Sequence, residues 1–470
     1  MSAACALRQR FQQTGKPTMK RRNFLKQVAG ATALSAMSAT ATGAAREERG
    51  RAAATPNLLW IWCDNLAYGD LGCYGNKRIN TPVIDGLAES GARFTQYYIA
   101  HTVCSPSRAA LLTGRQPFRT GIVDVLRPDS PTGIPSDEIT LGDALRANGY
   151  ATAAIGKWHL GDRTEYLPAQ HGFDFYFGLP YSMDMLPTLL YRNNDIIEEL
   201  PGDAVQNITE RFVDEAISFM ETNRDRPFFI YFNHTLPHPP INLPPERRSP
   251  GQTVYDDAIE HIDDQTGRLL AALDRMELAE ETLVVFTSDN GPMGKYGDTA
   301  GLRGRIRDSY EGGIRVPLIA RWPGKIPAGS VVDTPAISYD IFPTFVKLAG
   351  GKPPADRIYD GQDLWPVLSG KGDIKRDKPF FWVYLDKVTA MRKGNWKLHV
   401  SHRDSPLEIP ELYDVKSDPY EARPLNERHP DIVKEMLEAI RNYEAGIPKV
   451  WSLQYPVRDP NKRNSGVRRE

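Results

Sequence analysis

Cysteine is scarce in this chain. Four cysteines in 470 residues, Cys5, Cys63, Cys73 and Cys104, are too few for a disulfide scaffold, so the fold has to rest on apolar burial. Neither sign of charge prevails, with 58 Lys and Arg against 59 Asp and Glu. That balance excludes a nucleic-acid binder held by bulk electrostatics. Apolar runs are short, and none is long enough for a stable membrane span. Internal repeats are lacking as well. What remains is a long, mixed, globular composition, able to bury one large core with a smaller appendage.

The amino-terminal residues read as a targeting segment rather than as fold. Lys20-Arg21-Arg22-Asn23-Phe24-Leu25-Lys26 resembles a twin-arginine export signal, and an Ala-rich, weakly apolar stretch follows to about Ala45. Ala39-Thr40-Ala41 and Gly43-Ala44-Ala45 offer small-residue cleavage sites. The expectation is a signal over 1–45, which takes Cys5 out of the mature protein and delivers it folded to the periplasm or beyond. From Asp459 the chain is polar, and 459–470 reads as a tail.

Between these ends, apolar runs alternate with helical periodicity. Leu58–Cys63, Ala151–Ile155, Pro227–Phe232 and Thr282–Thr287 are continuous apolar segments of the kind buried on both faces of a sheet. Each is followed by polar residues, and in open α/β sheets ligands gather at the carboxyl ends of strands. Asp64-Asn65 follows the first and Asp289-Asn290 the last. Either pair alone reads equally as a turn or helix cap; two at matching positions supply four oxygen-bearing side chains suited to a hard cation. Lys157 and His159 follow the second run, two apart and so on one side of an extended segment. His234 and His238 lie in the Pro-rich loop after the third. Phe175–Gly178 reads as packing plus a loop, and 181–200 as an insertion on the substrate side. From about Phe380 short alternating segments and a final helix from Pro430 predict a small antiparallel sheet packed on a helix.

The most specific text is Cys104-Ser105-Pro106-Ser107-Arg108, continuing through Leu112-Thr113-Gly114-Arg115. Physically it predicts a helix capped by Ser105, with Pro106 first inside and Gly114 at the end, and Cys104 at its amino terminus where the dipole favours an anion. By spacing alone a buried or mildly activated thiol is the plainer reading.

The whole string resembles the signature of the type I sulfatases, in the arylsulfatase A and N-acetylgalactosamine-6-sulfatase branch. Gly156-Lys157-Trp158-His159-Leu160-Gly161, Gly69-Asp70-Leu71-Gly72-Cys73-Tyr74-Gly75 and the run from Leu302 through Tyr310-Glu311-Gly312-Gly313 to Pro317 carry the resemblance further. It spans about 56–426. It implies an alkaline-phosphatase-like α/β fold, a large mixed sheet flanked by helices, with a catalytic domain over 56–375 and a C-terminal α+β subdomain over 376–458. It implies that a formylglycine-generating enzyme oxidises Cys104 to Cα-formylglycine, and that Asp64, Asn65, Asp289 and Asn290, with the modified Cys104, hold one calcium ion. Arg108 would orient the nucleophile, Lys157 and His238 would bind sulfate, His238 would protonate the leaving oxygen and His159 would take a proton. The implied substrate is a sulfated small molecule or glycan. Two departures stand out: Asn65 where the family has Asp, and Ile306 where it has Lys. Flanking Arg305 or Arg307 is expected to supply the missing charge, with Arg305 preferred for the adjacent Gly304. Phosphate or phosphonate ester hydrolysis on the same fold, and a catalytically weak sulfated-glycan binder, are the competing readings.

Overall fold

The apolar runs lie together in a ten-stranded mixed sheet. In order across it come Ser330–Val332, Ala92–Phe94, Leu318–Arg321, Thr282–Ser288, Asn57–Cys63, Phe228–Asn233, Ala151–Lys157, Phe175–Leu179, Leu189–Arg192 and Asp195–Glu199. The stretch from Thr282–Ser288 to Phe175–Leu179 is parallel throughout, and the next two strands toward either edge pair antiparallel. The computed structural model describes residues 55–448 other than 129, 202, 203, 377 and 404. The expected signal with Arg21 and Arg22, Cys5 and the polar tail lie outside these residues.

The central strand shows why a continuous apolar run is required. Leu58, Trp60 and Trp62 belong to one core, while Leu59, Ile61 and Cys63 belong to the other. Side chains alternate across a strand, so a strand covered on both faces has no polar parity. Helices Ile208–Thr222 and Val254–Arg275 cover the second of these faces, and Cys104–Thr113 and Ile341–Leu348 the first. The long helix is opened by a capping box in which Thr253 and Asp256 satisfy each other's backbone N–H.

One expectation fails at this edge. Phe175–Leu179 is not packing and loop but a fifth parallel strand, in register with Ala151–Lys157. The 181–200 insertion contributes the antiparallel hairpin that finishes the sheet. A five-residue aromatic run ending near Gly and Pro is ambiguous until a partner strand offers it hydrogen bonds.

Because the central strands run the same way, their carboxyl ends share one rim. Close approach there demands glycine: Gly156 has φ 97°, and a Cβ on it would sit 1.8 Å from the Asn233 carbonyl oxygen. Beyond the main sheet, Phe380–Tyr384, Lys387–Lys393, Trp396–His402 and Ser405–Asp414 form a four-stranded antiparallel sheet. Helix Pro430–Glu444 covers it, burying Phe381, Leu398 and Leu412 with Met436 and Ile440. The described residues belong to one compact unit. No helix among the described residues is long and apolar enough to cross a membrane.

Candidate active site

Helix Cys104–Thr113 crosses behind the rim with every one of its ten residues buried. It starts two residues earlier than predicted, with extended Val103 before it and no side-chain cap. Ser105 does not cap: its hydroxyl accepts the Leu126 N–H at 3.0 Å and seats the 121–127 loop over the helix start. Gly114, at φ 68°, closes the helix as expected.

Three strand ends converge around Cys104. Its Sγ lies 3.5 Å from Asp64 Oδ1 and accepts from Asn290 Nδ2 at 3.5 Å. Ligand atoms of Asp64, Cys104 and Asp289 all lie within 4.8 Å of one another. Lys157 Nζ reaches Asp64 Oδ2 at 2.5 Å. Arg108 donates to Asp289 Oδ2 through Nε and a terminal nitrogen at 3.2 and 2.9 Å, and to the Lys157 carbonyl at 3.0 Å. Ser107 Oγ donates to the Asp289 carbonyl at 2.7 Å. The signature helix is therefore bolted to two strand ends by the side chains of Ser107 and Arg108.

Electrostatics separates the two buried carboxylates. Burial favours the neutral acid at both. At Asp64 the charges of Lys157 and His238 outweigh burial and hold the carboxyl well below the usual range. At Asp289, burial and the neighbouring Asp64 carboxylate push the other way and raise it, in spite of Arg108. Burial, with Asp289 next, drives the Cys104 thiol far up, so unmodified Cys104 is protonated at neutral pH and a poor nucleophile. Two carboxylates in mutual repulsion call for a cation between them. The buried oxygen set fits a hard one: Asn65 Nδ2 donates to Asn290 Oδ1 at 2.5 Å and to the Gly291 carbonyl at 2.9 Å, leaving Asn65 Oδ1 buried without a partner. Asn65 itself sits at φ 70°, a conformation Asn tolerates better than most residues.

The strand carrying Lys157 ends there, and His159 adopts φ 62°, so the expected two-residue alternation does not reach it. The backbone turn sends His159 Nε2 to the Leu126 carbonyl at 3.1 Å and leaves Nδ1 buried without a partner. Burial, reinforced by Lys157, holds this imidazole neutral. His238 Nδ1 lies 2.5 Å from the Pro239 carbonyl, and its charge helps depress Asp64. His234 packs edge-on to Phe232 with ring centroids 4.9 Å apart and stays out of this cluster's hydrogen bonds.

The two arginines flanking Ile306 part company. Arg305 turns its guanidinium to the Tyr296 carbonyl at 2.5 Å. Arg307 donates its backbone N–H to the Thr102 carbonyl at 3.0 Å and approaches Asp124 Oδ1 at 3.5 Å. Asp124 was not foreseen, since nothing in a short loop of mixed residues marks one carboxylate for a site.

A family model described as "Sulfatase" matches residues 56–351, and one described as "N-sulphoglucosamine sulphohydrolase, C-terminal" matches 305–445. Arylsulfatase A of Bos taurus is 36% identical over 84% of this chain and 88% of its own. N-acetylgalactosamine-6-sulfatase of Canis lupus familiaris is 37% identical over 73% and 71%. Among solved structures, that of Ps i-CgsB in complex with k-i-k-neocarrahexaose superposes with a TM-score of 0.76 at 29% identity, over 84% of this chain and 93% of that one.

Proposed function

The chain belongs to the sulfatase family and is a sulfuric ester hydrolase, and from that premise we propose that it hydrolyses the sulfate ester of a sugar or polysaccharide through a formylglycine made from Cys104. One observation carries this reading. Cys104 stands at a buried helix start, with its Sγ among Asp64, Asp289 and Asn290 at the carboxyl rim of a parallel sheet. A protonated thiol between two carboxylates is poorly suited to attack an anionic ester; an aldehyde hydrate supplies the nucleophilic oxygen that the site otherwise lacks. Calcium held by Asp64, Asn65, Asp289 and Asn290 would supply charge neutralisation for a bound sulfate.

The chain's own side chains do the rest. Lys157, anchored by Asp64, keeps its remaining N–H donors for sulfate oxygens, where charge builds as the ester bond breaks. Arg108 is fully committed to Asp289 and the Lys157 carbonyl, and so holds nucleophile and metal ligands at a fixed spacing. His238 gives a proton to the departing alcohol oxygen. His159, neutral through burial, accepts one at its free Nδ1. Maturation by a formylglycine-generating enzyme and twin-arginine export to the periplasm or beyond complete the proposal.

Mass spectrometry of the Cys104 peptide, from protein made with a maturation enzyme, should show the aldehyde. The same material should turn over 4-nitrophenyl sulfate far faster than 4-nitrophenyl phosphate. Full activity with an unmodified thiol would sink the mechanism. A preference for the phosphate ester would favour the alternative phosphohydrolase reading.

A further inference from the structure

The lip of the site carries a charge pair with no task in the scheme above. Residues 305–308 form a tight turn closed by the Asp308 N–H on the Arg305 carbonyl at 2.8 Å. Arg307 occupies its third place at φ 75°, a position where glycine or asparagine is the ordinary choice. A long side chain held in that conformation is strained. The turn is fixed to both halves of the site: Ile306 N–H donates to the Pro292 carbonyl, and Arg307 N–H to the Thr102 carbonyl, two residues before Cys104. The strained turn thus carries the Arg307 guanidinium toward Asp124, whereas Arg305 is drawn back to Tyr296.

Asp124 is positioned with equal care. It sits two residues before Leu126, whose N–H rests on Ser105 and whose carbonyl takes His159. The Arg307–Asp124 separation of 3.5 Å is loose, and the two side chains remain 28% and 21% exposed. Asp124 Oδ1 also accepts the Val125 N–H at 2.8 Å, so neither group is saturated by the other, and the pair is tied through Thr102 and Leu126 to segments that meet the start of the Cys104 helix. His101, three residues before Cys104, adds no charge here: burial holds its imidazole down to about 4.

A donor fork beside an acceptor carboxylate matches neighbouring hydroxyls on a sugar ring, each of which both donates and accepts. An apolar aryl alcohol offers the pair nothing. We propose that Arg307 and Asp124 grip the leaving alcohol as a saccharide, through adjacent ring hydroxyls, and thereby set the specificity of the site. This rests on the sulfate-ester reading and deepens it by naming the residues that would hold the sugar.

The test compares kcat/KM for 4-nitrophenyl sulfate with kcat/KM for monosulfated isomers of galactose and N-acetylgalactosamine. It uses the mature enzyme and its Arg307→Ala, Arg307→Lys and Asp124→Asn variants. Losing a charge-assisted hydrogen bond should cost roughly ten- to hundredfold on the sugar sulfate, mostly in KM, with a clearly smaller loss on the aryl sulfate. Arg307→Lys should recover part of the sugar rate, which a merely structural role would not predict. Equal losses on both substrates, or unchanged sugar kinetics in Arg307→Ala and Asp124→Asn, overturn the proposal. So does a parental enzyme that cleaves the aryl sulfate and none of the sugars. An enzyme that cleaves neither ester counts instead against the sulfatase reading of the site.

Discussion

Asp289 holds more of the site together than any other side chain described here. One carboxylate oxygen takes the Arg108 guanidinium, the other takes the Asn65 N–H at 3.1 Å, and its carbonyl takes Ser107. Removing it strands a guanidinium with no exposed surface. Breaking a buried pair from one side costs about 3–5 kcal/mol, because the remaining charge stays buried without its partner. Asp289→Ala should therefore lower the midpoint of thermal unfolding by several degrees and abolish turnover. Cys104→Ala is the contrasting case. It deletes one buried sulfur, so stability should shift by only about 1 kcal/mol. Activity on 4-nitrophenyl sulfate should fall by several orders of magnitude, since the covalent route goes with it. A Cys104→Ala protein with appreciable turnover would remove this residue from the chemistry.

Glu311 opens the short helix that follows the turn at the site's lip, and it ties the two sheets to each other. Its carboxylate meets Lys397 at 2.8 Å, Arg315 at 3.4 Å and the Tyr98 hydroxyl at 2.8 Å, while Arg392 reaches that same hydroxyl. Lys397 also pairs with Glu421 at 3.0 Å, and His399 with Glu421 at 2.6 Å. Burial alone would raise the Glu311 carboxyl, but Lys397, Arg315 and Arg392 outweigh it and bring it from the ordinary 4.5 to about 2. A depressed carboxylate stabilises the fold fully above its unfolded value, and that stability is lost as pH falls toward the folded value. Thermal midpoints should thus drop as pH falls from about 4.5 toward 2, and Glu311→Gln should lack this portion of the acid limb. At the strand scale, Gly156→Ala is expected to push Ala151–Lys157 off its neighbour at the Asn233 carbonyl and displace Lys157. Reduced kcat together with a lower thermal midpoint is the expected readout; parental values for both would show that the strand end can yield.

On the scale of the whole molecule, the proposed metal site would join strand ends far apart in sequence, so loading it should stabilise the entire compact unit. A ligand that binds only the folded state at a hundredfold excess over its Kd adds about 2.7 kcal/mol. Added calcium should raise the thermal midpoint of chelator-treated protein, and Asp289→Ala should erase that response. A midpoint indifferent to calcium and to chelator would dismiss the metal assignment independently of any activity. The proposed export route makes delivery depend on the chain's opening residues. Replacing Arg21 and Arg22 together by Lys should strand the precursor in the cytoplasm, and unchanged export would mean that the segment is not a twin-arginine signal.

The central strands and both oxygen pairs were legible in the chain itself, because a strand buried on two faces has to be apolar throughout and the residues closing it have to be polar. Text as specific as Cys104–Arg115 carries its chemistry locally, helix end and glycine stop included. Direction and partnership were not legible. Ser105 looks like a cap and instead pins a loop 21 residues away. His159 leaves the line of Lys157 because its backbone turns to φ 62°, and Arg307 rather than Arg305 meets Asp124 because its own turns to φ 75°. Glu311 and Lys397 lie 86 positions apart and meet only when the second sheet docks. Periodicity reports which face of an element is buried. Which cation answers which carboxylate is set by backbone turns and by neighbours distant in sequence, and those exist only in the assembled fold.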